Sequence, residues 1–322
     1  MLTTLRIIKK MIRSFPYSEY LFVFLPIFAY FLSIKLISDP WTLTLIVPFI
    51  LAIASGFMYN TICDSQFDSA QKNPITAGLI SIKKSYFFFY LLLILSIFFF
   101  IVLYKSILCT FLFLCYIFLW LGYSGLQIRF KETIFGPIVA SIVLWVGGPA
   151  IFVINQEYTD AVLIYLLLSY FFFYIGNELN HQIGDYHEDK KAKVNTFTVR
   201  VGLKKSIMIR YSTYLIGCIF FVQSASQIIN MDLFFKMIIL ISMIFLFVIF
   251  DILLYLPENN ISLNSFNNQK PTFSSKREER LFQFSSYALI KFFILMYTFV
   301  ILNFTLWIAI IFGWVFFTNK RT

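Results

Sequence analysis

Apolar residues run along this chain in blocks of about twenty, broken by short polar stretches, and do not mark one helix face or alternate along strands. The blocks occupy 21–38, 41–62, 86–104, 107–123, 134–154, 161–183, 207–229, 233–255 and 287–317. Blocks of this length match the hydrocarbon core of a bilayer, and a segment crossing it must satisfy its own backbone N–H and C=O groups. The pattern predicts an all-α integral membrane protein, a bundle of about nine transmembrane helices. The fourth block is short, and the ninth is long enough for one tilted helix or a broken pair.

Composition strengthens this reading. Of 322 residues, 60% are hydrophobic and 13% charged, too few polar groups to cover a soluble domain. A single domain over 1–322 is expected, with a basic N-terminus at 1–18 and a flexible polar loop at 257–283. Arg6, Lys9, Lys10 and Arg13 precede the first block without a small-residue cleavage site, so a retained helix is expected there and not a cleaved signal peptide. Cys63, Cys109, Cys115 and Cys218 are scattered without metal-type spacing and read as small buried hydrophobes.

Charge sets the orientation. With the N-terminus inside, most of the 26 Lys and Arg residues fall in cytoplasmic segments. The net charge of +10 then faces anionic lipid headgroups and calls for no nucleic acid. The expected location is multi-pass in a bacterial inner membrane.

Five of the sixteen acidic residues sit in two short stretches, Asp64 and Asp68 after the second block, and Asp185, Glu188 and Asp189 after the sixth. Both stretches fall on the predicted cytoplasmic side. Asn60, Asp64 and Asp68 are four apart, as are Asn177, His181, Asp185 and Asp189, and a four-residue interval keeps side chains on one helix face. Like charges so placed repel, and a cation should compensate. Lys72, Lys190, Lys191 and Lys193 could serve. Carboxylates on two helices also suit Mg²⁺, with Mn²⁺ as an alternative ion. Zinc suits the site less well, because His181 and His187 lack Cys partners at suitable spacing. Helix ends are often simply solvated, but two matched clusters on one side favour a shared, cytoplasm-facing site.

"NTICDSQFD" from Asn60, followed by "KNPITAGLIS", resembles the first Asn-x₃-Asp-x₃-Asp motif of the UbiA-type intramembrane prenyltransferases. "DYHEDKKAKVNTFTVRVG" from Asp185 resembles their second motif, and "YSGLQIRFKE" from Tyr123 is similar to a Tyr-Ser…Arg-x-Lys loop of part of that superfamily. The chain departs from the pattern at Asn73, where an Arg is common, at Lys193, where a Gly is usual, and at Leu126 and Gln127 in place of a Pro pair.

The resemblance implies transfer of a prenyl group from an allylic diphosphate to a lipid-soluble acceptor. Asn60, Asp64, Asp68, Asp185 and Asp189 would hold Mg²⁺, with the four aspartates catalytic. Asn60, Lys72, Tyr123, Arg129, Lys131 and Lys190 would bind the diphosphate. Tyr59, Trp120, Tyr123 and Tyr174 offer aromatic faces to an allylic cation, although with aromatics at 20% of the chain packing accounts for most of them. Glu178, Arg210, Asp251 and Lys291 fall inside apolar blocks. Glu178 or Asp251 could act on the acceptor, or pair with Arg210 or Lys291. An intramembrane terpene cyclase would use the same motifs, and a secondary transporter is the rival from another class. A transporter would place its charges near mid-membrane beside broken, repeated helices, whereas here the acids sit at helix ends.

Overall fold

The computed structural model describes residues 16–36, 40–68, 73–125, 129–229 and 231–255, with isolated positions at 7, 8, 11, 70, 290, 293, 294, 297 and 298. Its elements are all helical. α1 spans Pro16–Ser33, and a 3₁₀ segment, Pro40–Ile46, leads into α2, Val47–Asp64. α3 is Ile82–Leu103, α4 Ile107–Ser124, α5 Gly136–Asn155 and α6 Ala161–Gly184. Two short helices follow, α7 at Tyr186–Lys191 and α8 at Phe197–Val201, then α9 at Leu203–Ile229 and α10 at Leu233–Tyr255. Six of the described helices are long and apolar enough to cross a membrane, and two shorter apolar stretches lie at Val23–Ser33 and Leu233–Phe247. Most of the ninth block, the 257–283 loop, the N-terminal cluster Arg6, Lys9, Lys10 and Arg13, and the side chains of Lys72, Asp251 and Lys291 lie outside the described residues.

Local chemistry moves several boundaries from the apolar blocks. α3 begins at Ile82, because Ser81 caps it by accepting the Lys84 amide at 3.4 Å, which brings Lys83 and Lys84 into the first turn. α9 begins at Leu203, so Arg210 lies about two turns inside and is fully buried, not at the helix mouth. The fifth span is one rod with a π-helical turn at Ile142–Val146. Pro149 follows it, and a proline lacks the N–H that the carbonyl four residues earlier would accept. Tyr116 donates its hydroxyl to the Val143 carbonyl at 2.7 Å, as a backbone acceptor at membrane depth requires.

α6 and α9 pack along their length, and α2 packs on α3, with α4 and α5 between the pairs. Glycine permits the closest approach. A Cβ on Gly176 would come within 2.4 Å of the Tyr214 ring, and one on Gly217 within 2.6 Å of Phe173. Aromatic rings fill the half of the bundle remote from the acidic motifs. There Phe100 stacks on Phe113 at 3.9 Å and on Tyr104 at 4.2 Å, while Phe24, Phe49 and Phe152 close the layer. Tyr30 donates to Asp160 at that remote end, tying α1 to the start of α6. Phe87, Ile94, Phe98, Phe111 and Phe118 on α3 and α4 point outward and are exposed, an apolar surface suited to lipid.

Candidate active site

Consecutive spans run antiparallel, so the C-terminal ends of α2, α4 and α6 meet at one end of the bundle. α2 stops at Asp64, yet the amides of Phe67 and Asp68 both donate to the Asp64 carbonyl, at 2.9 and 2.8 Å. Helical register therefore continues for one more turn, and Asp68 stays in line with Asp64 and Asn60. α6 ends at Gly184 in the same way. The Asp185 amide donates to the His181 carbonyl at 3.0 Å, and the Asp189 amide to that of Asp185 at 2.9 Å. Thr196 then donates its hydroxyl to Asp189 Oδ2 at 3.1 Å, folding the following loop back onto the second acidic stripe.

The loop after α4 brings positive charge to the first stripe. Arg129 Nη2 lies 2.8 Å from Asp64 Oδ1, and Lys131 Nζ is bonded to the same oxygen. The Asp64 side chain is 15% exposed, so these pairs are shielded from water. Arg129 adopts φ 45° and ψ 70°, a left-handed conformation that costs a non-glycine residue about 1–2 kcal/mol. Its guanidinium holds that conformation through Asp64, through an ion pair with Glu132, and over the Phe67 ring at 4.4 Å from its centroid. Gly125 lets the loop start this close to α2, since a Cβ there would fall 2.2 Å from Cys63 Sγ and 2.8 Å from the Tyr59 ring.

Hydrogen bonds join the three segments. Ser124 donates to Asn60 Oδ1 at 2.8 Å, linking α4 to the first stripe. Tyr123 donates its hydroxyl to Glu178 Oε1 at 2.9 Å, linking α4 to α6. Gln182 Nε2 donates to the same Glu178 oxygen at 3.1 Å, and its Oε1 accepts the Thr198 amide at 3.2 Å, which fixes the amide's orientation and anchors α8. Arg200 Nε donates to the Glu132 carbonyl at 2.9 Å, closing the ring of contacts back to the middle loop.

Each residue singled out in the sequence can now be placed. Asn60, Asp64, Asp68, Asp185, Asp189, Tyr123, Arg129 and Lys131 all lie at this one end. Lys190 is exposed, with Nζ 5.8 Å from the Tyr186 ring centroid. Lys72 is outside the described residues. Glu178 does not pair with Arg210, which instead donates to Asn180 Oδ1 at 2.7 Å and lies over the Tyr211 ring at 4.5 Å. Tyr59 stacks on Phe89 at 5.0 Å, and Trp120 is buried and donates to the Tyr116 hydroxyl. Both are packing residues here.

Several contributors were not foreseen. Asn73 stands where an Arg is common in the family. It donates to the Thr61 carbonyl at 2.8 Å and to Asp68 Oδ2 at 3.4 Å and accepts the Ile75 amide at 3.0 Å, so it stitches the loop to α2. Lys193 stands where Gly is usual and has φ 60°, the left-handed conformation that glycine adopts without strain. Gln182 gave no local signal at all; only the packing of α8 on α6 reveals its role.

The donor set suits a hard cation, since every candidate ligand presents oxygen. Among the described residues no group of three or more His, Cys, Asp or Glu side chains converges on one point. Mg²⁺ does not require one, because it is held by one or two carboxylates with waters and substrate phosphates completing its shell. The retained register of Asp64 with Asp68, and of Asp185 with Asp189, provides two such pairs.

Comparison with known proteins identifies the family. The UbiA prenyltransferase family matches residues 22–268. No curated protein matches the sequence. A UbiA homolog from Archaeoglobus fulgidus, solved with GPP and Mg²⁺, is 16% identical, with a TM-score of 0.61 over 92% of this chain and 99% of its own. A structure of a digeranylgeranylglyceryl phosphate synthase is 17% identical, with a TM-score of 0.63 over 94% of this chain and 100% of its own. At these identities the likeness is one of fold, and the family match carries the rest: the chain is an integral, multi-pass membrane protein that belongs to the UbiA prenyltransferase family.

Proposed function

We propose that this prenyltransferase moves a prenyl group from an allylic diphosphate to a lipid-soluble acceptor, releasing diphosphate, with Mg²⁺ as cofactor. One domain spanning the chain carries the reaction at the cytoplasmic face of a bacterial inner membrane. The observation that carries this reading is the convergence of two acidic stripes and a cationic loop on one end of an apolar bundle. Binding of GPP or DMAPP with Mg²⁺ by the Archaeoglobus homolog supports it. The orientation rests on the basic residues gathered at the same end, which cytoplasmic loops retain.

In the reaction the C1–O bond of the donor breaks and its electron pair leaves with the diphosphate. The acceptor's electron pair forms the new bond to C1, and the acceptor's proton passes to the released diphosphate. Mg²⁺, when bound there, would supply positive charge to the phosphate oxygens of the leaving group. Asp64 and Asp68 on one helix end, and Asp185 and Asp189 on the other, would hold the metal, with Asn60 as a neutral oxygen donor. Arg129 and Lys131 bind the diphosphate by charge-assisted hydrogen bonds, and Lys72 and Lys190 add to the same field. The apolar bundle receives the prenyl chain and keeps water from the cation.

The test is product analysis with the purified protein, Mg²⁺ and a panel of allylic diphosphates, with and without lipophilic acceptors. A prenylated acceptor and stoichiometric diphosphate are expected. A cyclic hydrocarbon or alcohol unchanged by added acceptor would replace this reading with that of a cyclase.

A further inference from the structure

Glu178 is a carboxylate at membrane depth with no basic partner among the described residues, an arrangement that is costly and marks function. Arg210, the buried guanidinium of the neighbouring helix, is engaged by Asn180. Two neutral donors, the Tyr123 hydroxyl and the Gln182 amide, hold Glu178 Oε1 instead, and Gln182 is locked by the Thr198 amide. A phenol has one proton, and that of Tyr123 goes to Glu178. Its oxygen can therefore offer a ligand only lone pairs, and its ring offers an electron-rich face. Such a group repels a diphosphate and attracts a cation.

Depth fits the second role. Seven residues separate Glu178 from Asp185 along α6, about 10 Å at the helical rise. Tyr123 adjoins Ser124, which bonds Asn60, itself about 6 Å deeper than Asp64 along α2. A donor with its diphosphate at the acidic stripes and its chain in the bundle brings its allylic carbons to this level. Resting on the prenyl-transfer reading above, we propose that Glu178 is a positioning residue. It accepts the Tyr123 hydroxyl hydrogen bond and so fixes the electron-rich phenol oxygen and ring toward the allylic cation, and its charge helps offset the positive charge that forms when the C1–O bond breaks.

The experiment uses the full-length protein with Mg²⁺ and compares Glu178→Gln, Tyr123→Phe and the double variant. Gln keeps the size and an accepting oxygen while removing the charge, and Phe keeps the ring. Two quantities are read: kcat and KM for the best donor, and affinity for a non-cleavable thio-linked geranyl diphosphate. Each single variant is expected to lower kcat on the order of thirtyfold, the weight of one hydrogen bond to a charged group. Donor KM and analogue affinity should stay within about twofold, and the double variant should be no slower than the slower single one. Loss of analogue affinity at unchanged kcat would make Tyr123 a diphosphate ligand and overturn the proposal. So would multiplicative effects in the double variant, or wild-type turnover in either single one. If the wild-type protein binds the analogue but turns over no allylic diphosphate with any acceptor, the prenyl-transfer reading fails first and takes this inference with it.

Discussion

Arg129 Nη2 sits 2.8 Å from Asp64 Oδ1, so a cation carried by the loop after α4 neutralises the first acidic residue of the α2 stripe. Lys131 meets the same oxygen. The two cations are balanced by Asp64 and Glu132, and both stand at the mouth of the bundle, where an anionic donor would arrive. The strained left-handed backbone of Arg129 marks how firmly this contact is imposed.

Removing that charge should weaken donor binding. For Arg129→Ala or Lys131→Ala, loss of a charge-assisted contact predicts a rise in donor KM of about tenfold. Steady-state kinetics with varied allylic diphosphate checks this. An unchanged KM in both variants would exclude the loop from the donor site.

The aspartates should behave differently. Asp64→Asn, Asp68→Asn, Asp185→Asn and Asp189→Asn keep the shape and remove the charge that holds a divalent ion. We expect each to lose turnover, and Asp64→Asn, which deprives Arg129 and Lys131 of their shared carboxylate, also to lower the unfolding temperature of the detergent-solubilised protein. Titration with Mg²⁺ should show that excess metal restores little activity. Wild-type rates in any two of the four would end the case for a shared metal site.

Gly125 predicts a steric effect. A methyl group there would meet Cys63 and Tyr59, so Gly125→Ala should push the middle loop off α2 and impair activity through Arg129 and Lys131. Combining it with Cys63→Ala removes the closest clash, a sulfur 2.2 Å away, and should recover part of the loss. Kinetic comparison of the two proteins decides the point.

Lys193 offers a gain. With φ at 60°, it occupies a conformation that glycine enters freely, and Lys193→Gly should stabilise the protein by up to about 1 kcal/mol. Thermal unfolding checks the sign. A lower midpoint would mean that the Lys193 side chain contributes more than its backbone strain costs.

Topology is testable without activity. Single cysteines placed near Lys72, Lys190 and Lys276 in a cysteine-free background should all react with an impermeant reagent from the cytoplasmic side. Labelling of the Lys190 region from the opposite side would separate the two acidic motifs and rule out their joint use.

The sequence by itself determined the spanning helices and the end of the bundle at which the two acidic motifs lie. Both follow from local rules. A run such as the 161–183 block must become helix because lipid offers its backbone no partners, and α6 at Ala161–Gly184 coincides with it. A four-residue interval keeps Asp64 in line with Asp68, and the structure preserves that register through the Asp68 amide bond to the Asp64 carbonyl. Antiparallel alternation then brings both motifs to one end. Tertiary structure alone decided the partners. Glu178 and Arg210 both fall within apolar blocks and could have paired, but they lie on α6 and α9 with different neighbours. One meets Tyr123 of α4, the other Asn180. Which helix faces meet depends on close approaches such as that of Gly176 to Tyr214, and on irregularities such as the π-helical turn at Ile142–Val146. Asn73 reaches back to the Thr61 carbonyl and Gln182 across to the Thr198 amide, contacts that no spacing within one helix indicates. Spacing along one segment fixes a face, but contact between faces is a property of the packed bundle, and there the side-chain chemistry of this protein is decided.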